Sequence, residues 1–135
     1  MIKALDKTVG FDGYEKIAAG ELDVFPYEYR GKRAEVVIET DEFTAVCPYS
    51  GLPDFGTVRV RYVPREVCIE LRSLKYYLMS YRSVGIYQEH AAQRILEDLV
   101  RCSGPEEMTV ELEYKVRGGI RTVVRVRYPE EGEME

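Results

Sequence analysis

The chain has 135 residues, 45% hydrophobic and 32% charged, which suits one packed domain and excludes a disordered chain. Its 24 acidic side chains outnumber 19 basic ones, so a formal net charge of −5 argues against nucleic-acid binding driven by overall charge. No apolar run approaches the ~20 residues that cross a bilayer, the start lacks a secretory apolar segment, and three cysteines suit a reducing cytoplasm better than a disulfide framework.

Residues 1–33 are rich in turn formers and read as an N-terminal extension packed on a core, with Leu22–Pro26 as their motif-like stretch. Residues 34–40 carry β-branched side chains and read as a strand. Residues 41–55 hold Pro48, Gly51 and Pro53 and read as a loop. In 56–62, Val58, Val60 and Tyr62 alternate with Arg59 and Arg61, the pattern of a half-buried strand. From Ile69 to Arg82 the period changes. Leu71, Leu74, Leu78 and Tyr81 define an apolar helical face, and Arg72, Lys75, Met79 and Arg82 define another. After a break at 83–85, residues 88–102 are helical again, with Ala91, Ala92, Ile95, Leu96, Leu99 and Val100 buried; Gly104-Pro105 stops the helix. Two alternating segments around Arg117-Gly118-Gly119 then predict a β-hairpin. The acidic tail, 129–135, is expected to fray.

The resulting order is β-β-α-α-β-β. A single domain over 34–128 follows, in the α+β class: a four-stranded antiparallel sheet with both helices on its apolar face. The other face carries Arg59, Arg61, Glu111, Glu113, Arg121, Arg125 and Arg127, which suits either open solvent or a wet channel in an assembly.

Few residues here can do chemistry. His90 is the only histidine, and the cysteine spacing fits no zinc pattern, so no metal is expected. Cys47 lies in a Pro/Gly-punctuated loop, where a thiolate is accessible; filling a gap as a small hydrophobe is the commoner fate of a free cysteine. Asp54 lies seven residues on, and a loop that folds back would set it beside Cys47 as a proton donor; an exposed turn aspartate is the alternative. Cys68, at the helix start, and Cys102, at a helix end, look inert. Arg72 and Lys75 form a strip suited to phosphate, or a solvated face. Glu89 follows the Gly85 break and can take two parallel hydrogen bonds from a guanine-type edge, or merely favour a helix N-terminus.

Four stretches in order resemble the QueF-type 7-cyano-7-deazaguanine reductases. They are Glu42–Phe55 with its Cys-Pro-x-x-Gly-x-Pro-Asp-Phe, Glu70-Leu71-Arg72-Ser73-Leu74-Lys75-Tyr76-Tyr77, Gly85-Ile86-Tyr87-Gln88-Glu89, and Arg117-Gly118-Gly119-Ile120. Leu22–Pro26 is similar too. The resemblance spans roughly residues 22–128. It implies the tunnelling fold, whose protomers assemble into a ring-shaped barrel homo-oligomer with active sites between them. It implies NADPH-dependent reduction of a nitrile to a primary amine, in the synthesis of a modified tRNA base, queuosine. Cys47 is then the nucleophile that forms a covalent thioimidate, and Asp54 the proton donor. Glu89 anchors the substrate, with Gln88, Ile69, Glu70 and Leu71 as further contacts. Lys75, Arg117 and Arg72 meet the cofactor. The substrate is a free deazapurine base, with no membrane and no nucleic acid as partner.

Two departures stand out. Arg72 replaces the family's usual lysine, and Gln88 replaces a histidine found in many members. The competing readings are a QueF-like amidinotransferase, which adds ammonia to the nitrile base in tRNA to make archaeosine, and a non-catalytic purine-binding barrel. The nearly intact cofactor signature favours reduction over the first, and Cys47 with Asp54 over the second.

Overall fold

The computed structural model describes residues 10–130. Eight elements follow the short 3₁₀ turns at 14–16 and 19–21: β1 (Val24–Pro26), β2 (Val36–Val46), β3 (Pro53–Val63), β4 (Val67–Ile69), α1 (Leu71–Met79), α2 (Gln88–Ser103), β5 (Glu107–Arg117) and β6 (Ile120–Tyr128). Strands β2, β3, β5 and β6 form one antiparallel sheet in that spatial order. Both helices cover one face. Val58, Val60, Tyr62, Met108, Val110 and Leu112 meet Leu74, Tyr77, Leu78, Ala91, Ala92, Ile95 and Leu99 in a single core. Among the described residues, no helix is long and apolar enough to cross a membrane. The acidic tail from residue 131 lies outside the described residues.

Strand β2 is longer than its composition suggests. It runs to Val46, through residues read as loop, and the true loop is only 47–52. The cause is a β-bulge. Thr40 pairs with Val58 but Phe43 pairs with Gly56, so β2 spends one extra residue there. Val36, Ile38 and Thr40 are half-buried before the bulge; Phe43 and Ala45 are buried after it. An alternation that changes phase mid-strand reads as no alternation at all.

The first helix is shorter than its periodicity suggests. Ile69 belongs to β4, which pairs with β1 as a separate two-stranded sheet, and Cys68 lies buried in that strand and not at a helix start. Glu70 caps α1, its carboxylate accepting from the Arg72 and Ser73 amides at 2.9 and 2.8 Å. Leu71, expected on the buried stripe, is 58% exposed, because it stands in the first turn beside an open groove. Helix α2 ends as its sequence indicates, at Gly104 in the left-handed region (φ 52°), whose N–H donates to the Val100 carbonyl at 2.8 Å. The buried Asp98 on α2 accepts from the Tyr77 hydroxyl at 2.6 Å and from Arg94 and Arg101 at 2.8 and 3.0 Å, which ties α1 to α2.

The charged sheet face is ordered by register. Glu39, Arg59, Glu111 and Arg125 stand directly opposite one another across all four strands. Arg59 donates to Glu39 and Glu111 at 2.7 Å each and to Glu113 at 3.0 Å, and Arg125 donates to Glu111 at 2.5 Å. Alternating signs in opposed positions make the pairs mutually supportive.

Candidate active site

Cys47 begins where β2 ends. Its backbone is held by the loop it opens: its N–H donates to the Leu52 carbonyl at 2.9 Å and its carbonyl accepts from Gly51 at 2.7 Å. The preceding residue, Val46, is pinned to the segment before α2. The Val46 N–H donates to the Val84 carbonyl at 2.9 Å, and its carbonyl accepts from Ile86 at 3.1 Å. Gly85 sits in this bridge because the Phe11 ring lies where a side chain would stand, 2.0 Å from the position a Cβ would take. The bridge sets the Cys47 loop beside the residues that open α2, Gln88 and Glu89.

Asp54 is the second residue of β3, paired with Ala45, so the loop does fold back. Its carboxylate accepts from Arg117 Nη1 at 2.6 Å, and the same nitrogen reaches the Pro53 carbonyl at 3.2 Å. Arg117 reaches Asp54 because of a second bulge. Tyr114 pairs with Thr122 but Arg117 pairs with Ile120, an extra residue on β5 just before the turn. Gly118 and Gly119, both at positive φ, close that turn. Two bulges near this end of the sheet thus re-aim strand residues toward one place.

The half-buried Cys47 thiol is held below its ordinary value. Partial burial opposes ionisation, and the Asp54 charge opposes it slightly; hydrogen bonds from the Ser50 side chain and from the Ser50 and Tyr49 backbone outweigh both. These donors stabilise a thiolate, the form that acts as nucleophile. Burial, followed by the nearby Asp98 charge, pushes the Cys102 thiol up. Alkylation of the two sites, followed against pH by peptide mass mapping, should place the Cys47 midpoint below and the Cys102 midpoint above that of an ordinary thiol. Coincident midpoints would contradict this geometry.

The other expected site residues fall into two sets. Glu89 is exposed in the first turn of α2. Gln88 is buried, and its amide nitrogen donates to the Leu112 and Thr122 carbonyls at 2.9 and 3.0 Å, so its donors are spent on the sheet. The remaining residues stand around the start of α1. Ile69 is buried, with its N–H donating to the Tyr62 hydroxyl at 2.9 Å. Glu70 is engaged as the helix cap, where hydrogen bonds from the Arg72 and then the Ser73 amides hold its carboxyl below the usual range. Arg72 is exposed on α1. Leu71 and Lys75 line a groove of about 340 Å³ with Leu74, Met79, Thr40 and Glu42. This set flanks the middle of β2, whereas Cys47 lies past its end.

Sequence reasoning missed two residues. Ser50 supplies a donor to Cys47, and its place three residues on in a Pro/Gly turn was the available signal. Tyr114 read only as one more alternating strand residue. Its hydroxyl is buried, has no hydrogen-bond partner among the described residues, and lies within electrostatic reach of Asp54, Cys47 and Glu89.

The family of QueF-like proteins matches residues 53–133. The NADPH-dependent 7-cyano-7-deazaguanine reductase of Caldicellulosiruptor bescii is 53% identical over 116 residues, covering 86% of this chain and 88% of its own. The protein of the same name from Caldanaerobacter subterraneus subsp. tengcongensis is 50% identical over 119 residues, 88% of this chain and 89% of its own. That from Chlorobium luteolum is 50% identical over 107 residues, 79% and 92%. Among solved structures, the apo archaeosine synthase QueF-Like superposes with a TM-score of 0.67 at 26% identity, over 71% of this chain and 94% of that one. A half-shared sequence along most of both chains, on this fold, establishes that the chain belongs to the QueF-like family, the one these reductases form.

Proposed function

We propose that this protein reduces the nitrile of 7-cyano-7-deazaguanine to the primary amine of 7-aminomethyl-7-deazaguanine with NADPH, through a covalent adduct on Cys47. The observation that carries this reading is a loop thiol held below its ordinary pKa, with a carboxylate on the adjoining strand, in a chain half identical to reductases of that name.

The chemistry follows from the residues. The Cys47 thiolate adds to the nitrile carbon, a C–S bond forms, and one C–N π bond opens. The nitrogen takes the proton that Asp54 receives from the Cys47 thiol, which leaves a neutral thioimidate and Asp54 again as a carboxylate. Protonated C=N accepts hydride far better than a free nitrile. NADPH, when bound, supplies the two hydrides that carry this carbon to the amine. The hydrogen bonds around Cys47 that favour its thiolate also make it a good leaving group once the carbon is saturated.

Glu89 takes the N1–H and 2-amino group of the base as two parallel hydrogen bonds. Arg72 and Lys75 on α1, together with Arg117 at the rim of the Cys47 site, suit the anionic phosphates of the cofactor. The apolar side of the Lys75 groove suits its uncharged parts. Arg117 also holds Asp54, so the acid and a cofactor contact are joined by one ion pair. The α1 set flanks the middle of β2 and Cys47 lies past its end. That separation supports a ring-shaped homo-oligomer in which neighbouring protomers complete each site.

The test is a cofactor-oxidation assay on the purified protein with NADPH and 7-cyano-7-deazaguanine, with the product identified by mass. Two NADPH oxidised per amine formed is the expected result. A Cys47 adduct without NADPH oxidation would overturn reduction and point to ammonia as the co-substrate, the reaction of the amidinotransferases.

A further inference from the structure

Residues 11 and 12 join the segment before α2 from the side opposite Val46. Three stretches of chain run alongside one another there: Asp12, residues 83–86, and the end of β2. The Asp12 N–H donates to the Ser83 carbonyl at 2.7 Å, and the Asp12 carbonyl accepts from the Gly85 N–H at 2.9 Å. The Asp12 carboxylate also accepts from the Ser83 hydroxyl at 2.6 Å. The other edge of the same segment exchanges two hydrogen bonds with Val46, the residue before Cys47. The segment that leads into Gln88 and Glu89 is therefore bonded on both edges, to the N-terminal stretch and to β2.

The Phe11 ring closes this arrangement. Its Cγ, Cδ1 and Cε1 atoms stand 2.7, 2.0 and 2.2 Å from where a Gly85 Cβ would be, so the ring rests directly on the backbone at Gly85. Gly85 is buried, as are Val84 and Ile86 on either side of it. Backbone hydrogen bonds left open to water mark segments that open locally, and an apolar ring laid over them opposes that opening. Phe11 keeps 45% of its own surface exposed and stands outside the hydrophobic core. Its contact with Gly85 therefore bears on the bridge to Cys47 and not on the packing of the sheet against the helices.

We propose that Phe11, seated on Gly85, is a positioning residue of this active site: together with Asp12 it straps residues 83–86 to the end of β2 and so sets the Cys47 thiol relative to Glu89. The assignment rests on the roles given to Cys47 and Glu89 above. A base anchored at Glu89 presents its nitrile carbon to the thiolate only while these two elements keep one register. A displacement of an ångström or less between anchor and nucleophile slows the bond-forming step far more than it weakens binding.

Phe11→Ala removes the ring and leaves the backbone groups of residues 11 and 12 in place. Its kcat for nitrile reduction should fall roughly tenfold. Binding of 7-cyano-7-deazaguanine, measured at equilibrium with Cys47→Ala in both proteins to prevent adduct formation, should change by less than about twofold. Amide hydrogen exchange at Val46, Gly85 and Ile86 should quicken. Gly85→Ala reaches the same contact from the other partner. Gly85 is not at positive φ, so alanine brings no backbone strain, and its methyl group displaces the Phe11 ring. It should lower kcat as Phe11→Ala does, and the double variant should be no slower than the slower single one, because each change breaks the same contact. Unchanged kcat or unchanged exchange in Phe11→Ala, a loss of base affinity as large as the loss of kcat, or losses that add in the double variant would each overturn the strap while leaving the reductase reading intact. Wild-type protein that neither captures nor reduces the nitrile would overturn both.

Discussion

Cys47→Ala is expected to lower nitrile reduction by at least about a thousandfold, the scale seen when a covalent nucleophile is removed. The base should still bind, because Glu89 and the rest of α2 are untouched. Incubation of the wild-type protein with 7-cyano-7-deazaguanine alone should add the mass of one base per chain, and the variant should add none. The structural reason is local. Cys47 is half-buried, is pinned through Val46 to the segment that carries Glu89, and faces the Ser50 hydroxyl and two backbone amides. A serine at this position would keep the shape of the loop but not the low-lying ionisation, so Cys47→Ser should be nearly as inactive. A Cys47→Ala protein that reduces the nitrile at an appreciable rate would remove the covalent route altogether.

The second large effect is at Asp54. Asp54→Asn keeps the size of the side chain and its place opposite Ala45, but it cannot deliver a proton to the nitrile nitrogen. Turnover should fall by about 10²- to 10⁴-fold, the usual contribution of a positioned proton donor. The thiol should move the other way. The Asp54 charge raises the Cys47 pKa, so its removal should lower that pKa further and shift the alkylation midpoint toward lower pH. The variant would then have a more ionised nucleophile and a far slower reaction. That combination separates loss of the acid from damage to the loop, which would impair both. If turnover survives, the proton comes from elsewhere; if both quantities fall together, Asp54 is structural.

Arg117 links these two results. It holds Asp54 at 2.6 Å only because the bulge in β5 turns it to the face on which Asp54 lies. Its side chain is half exposed, whereas that of Asp54 is 14% exposed, so the pair sits at the rim of the site and not in the core.

Much of this was legible in the chain. Period-2 alternation along β3, β5 and β6 and period-3.6 patterning along both helices depend on which face meets the core, and that is written in residue order. Gly104-Pro105 and Gly118-Gly119 stop an element by backbone geometry that only those residues adopt readily. The motif around Cys47 and Asp54 marked both residues without any coordinates.

Other features depended on partners distant in sequence. The β1–β4 pairing joins segments more than forty residues apart, each too short to show a period. The bulges in β2 and β5 are defined by the strand opposite, and each breaks the alternation by which a strand is recognised. Gln88 sits in a motif read as a substrate contact, and only the fold shows that its side-chain amide nitrogen donates to two carbonyls of the hairpin beneath it. Tyr114 reads as an ordinary alternating strand residue, yet its ring, packed over Gly56 and against Phe43, leaves its hydroxyl buried without a partner among the described residues. Residue order thus determined most of the elements, their faces and the pair proposed to react, because those follow from local geometry and chemical type. Which polar groups are spent and which remain available was decided only by tertiary packing, because a hydrogen bond depends on where both of its partners come to rest.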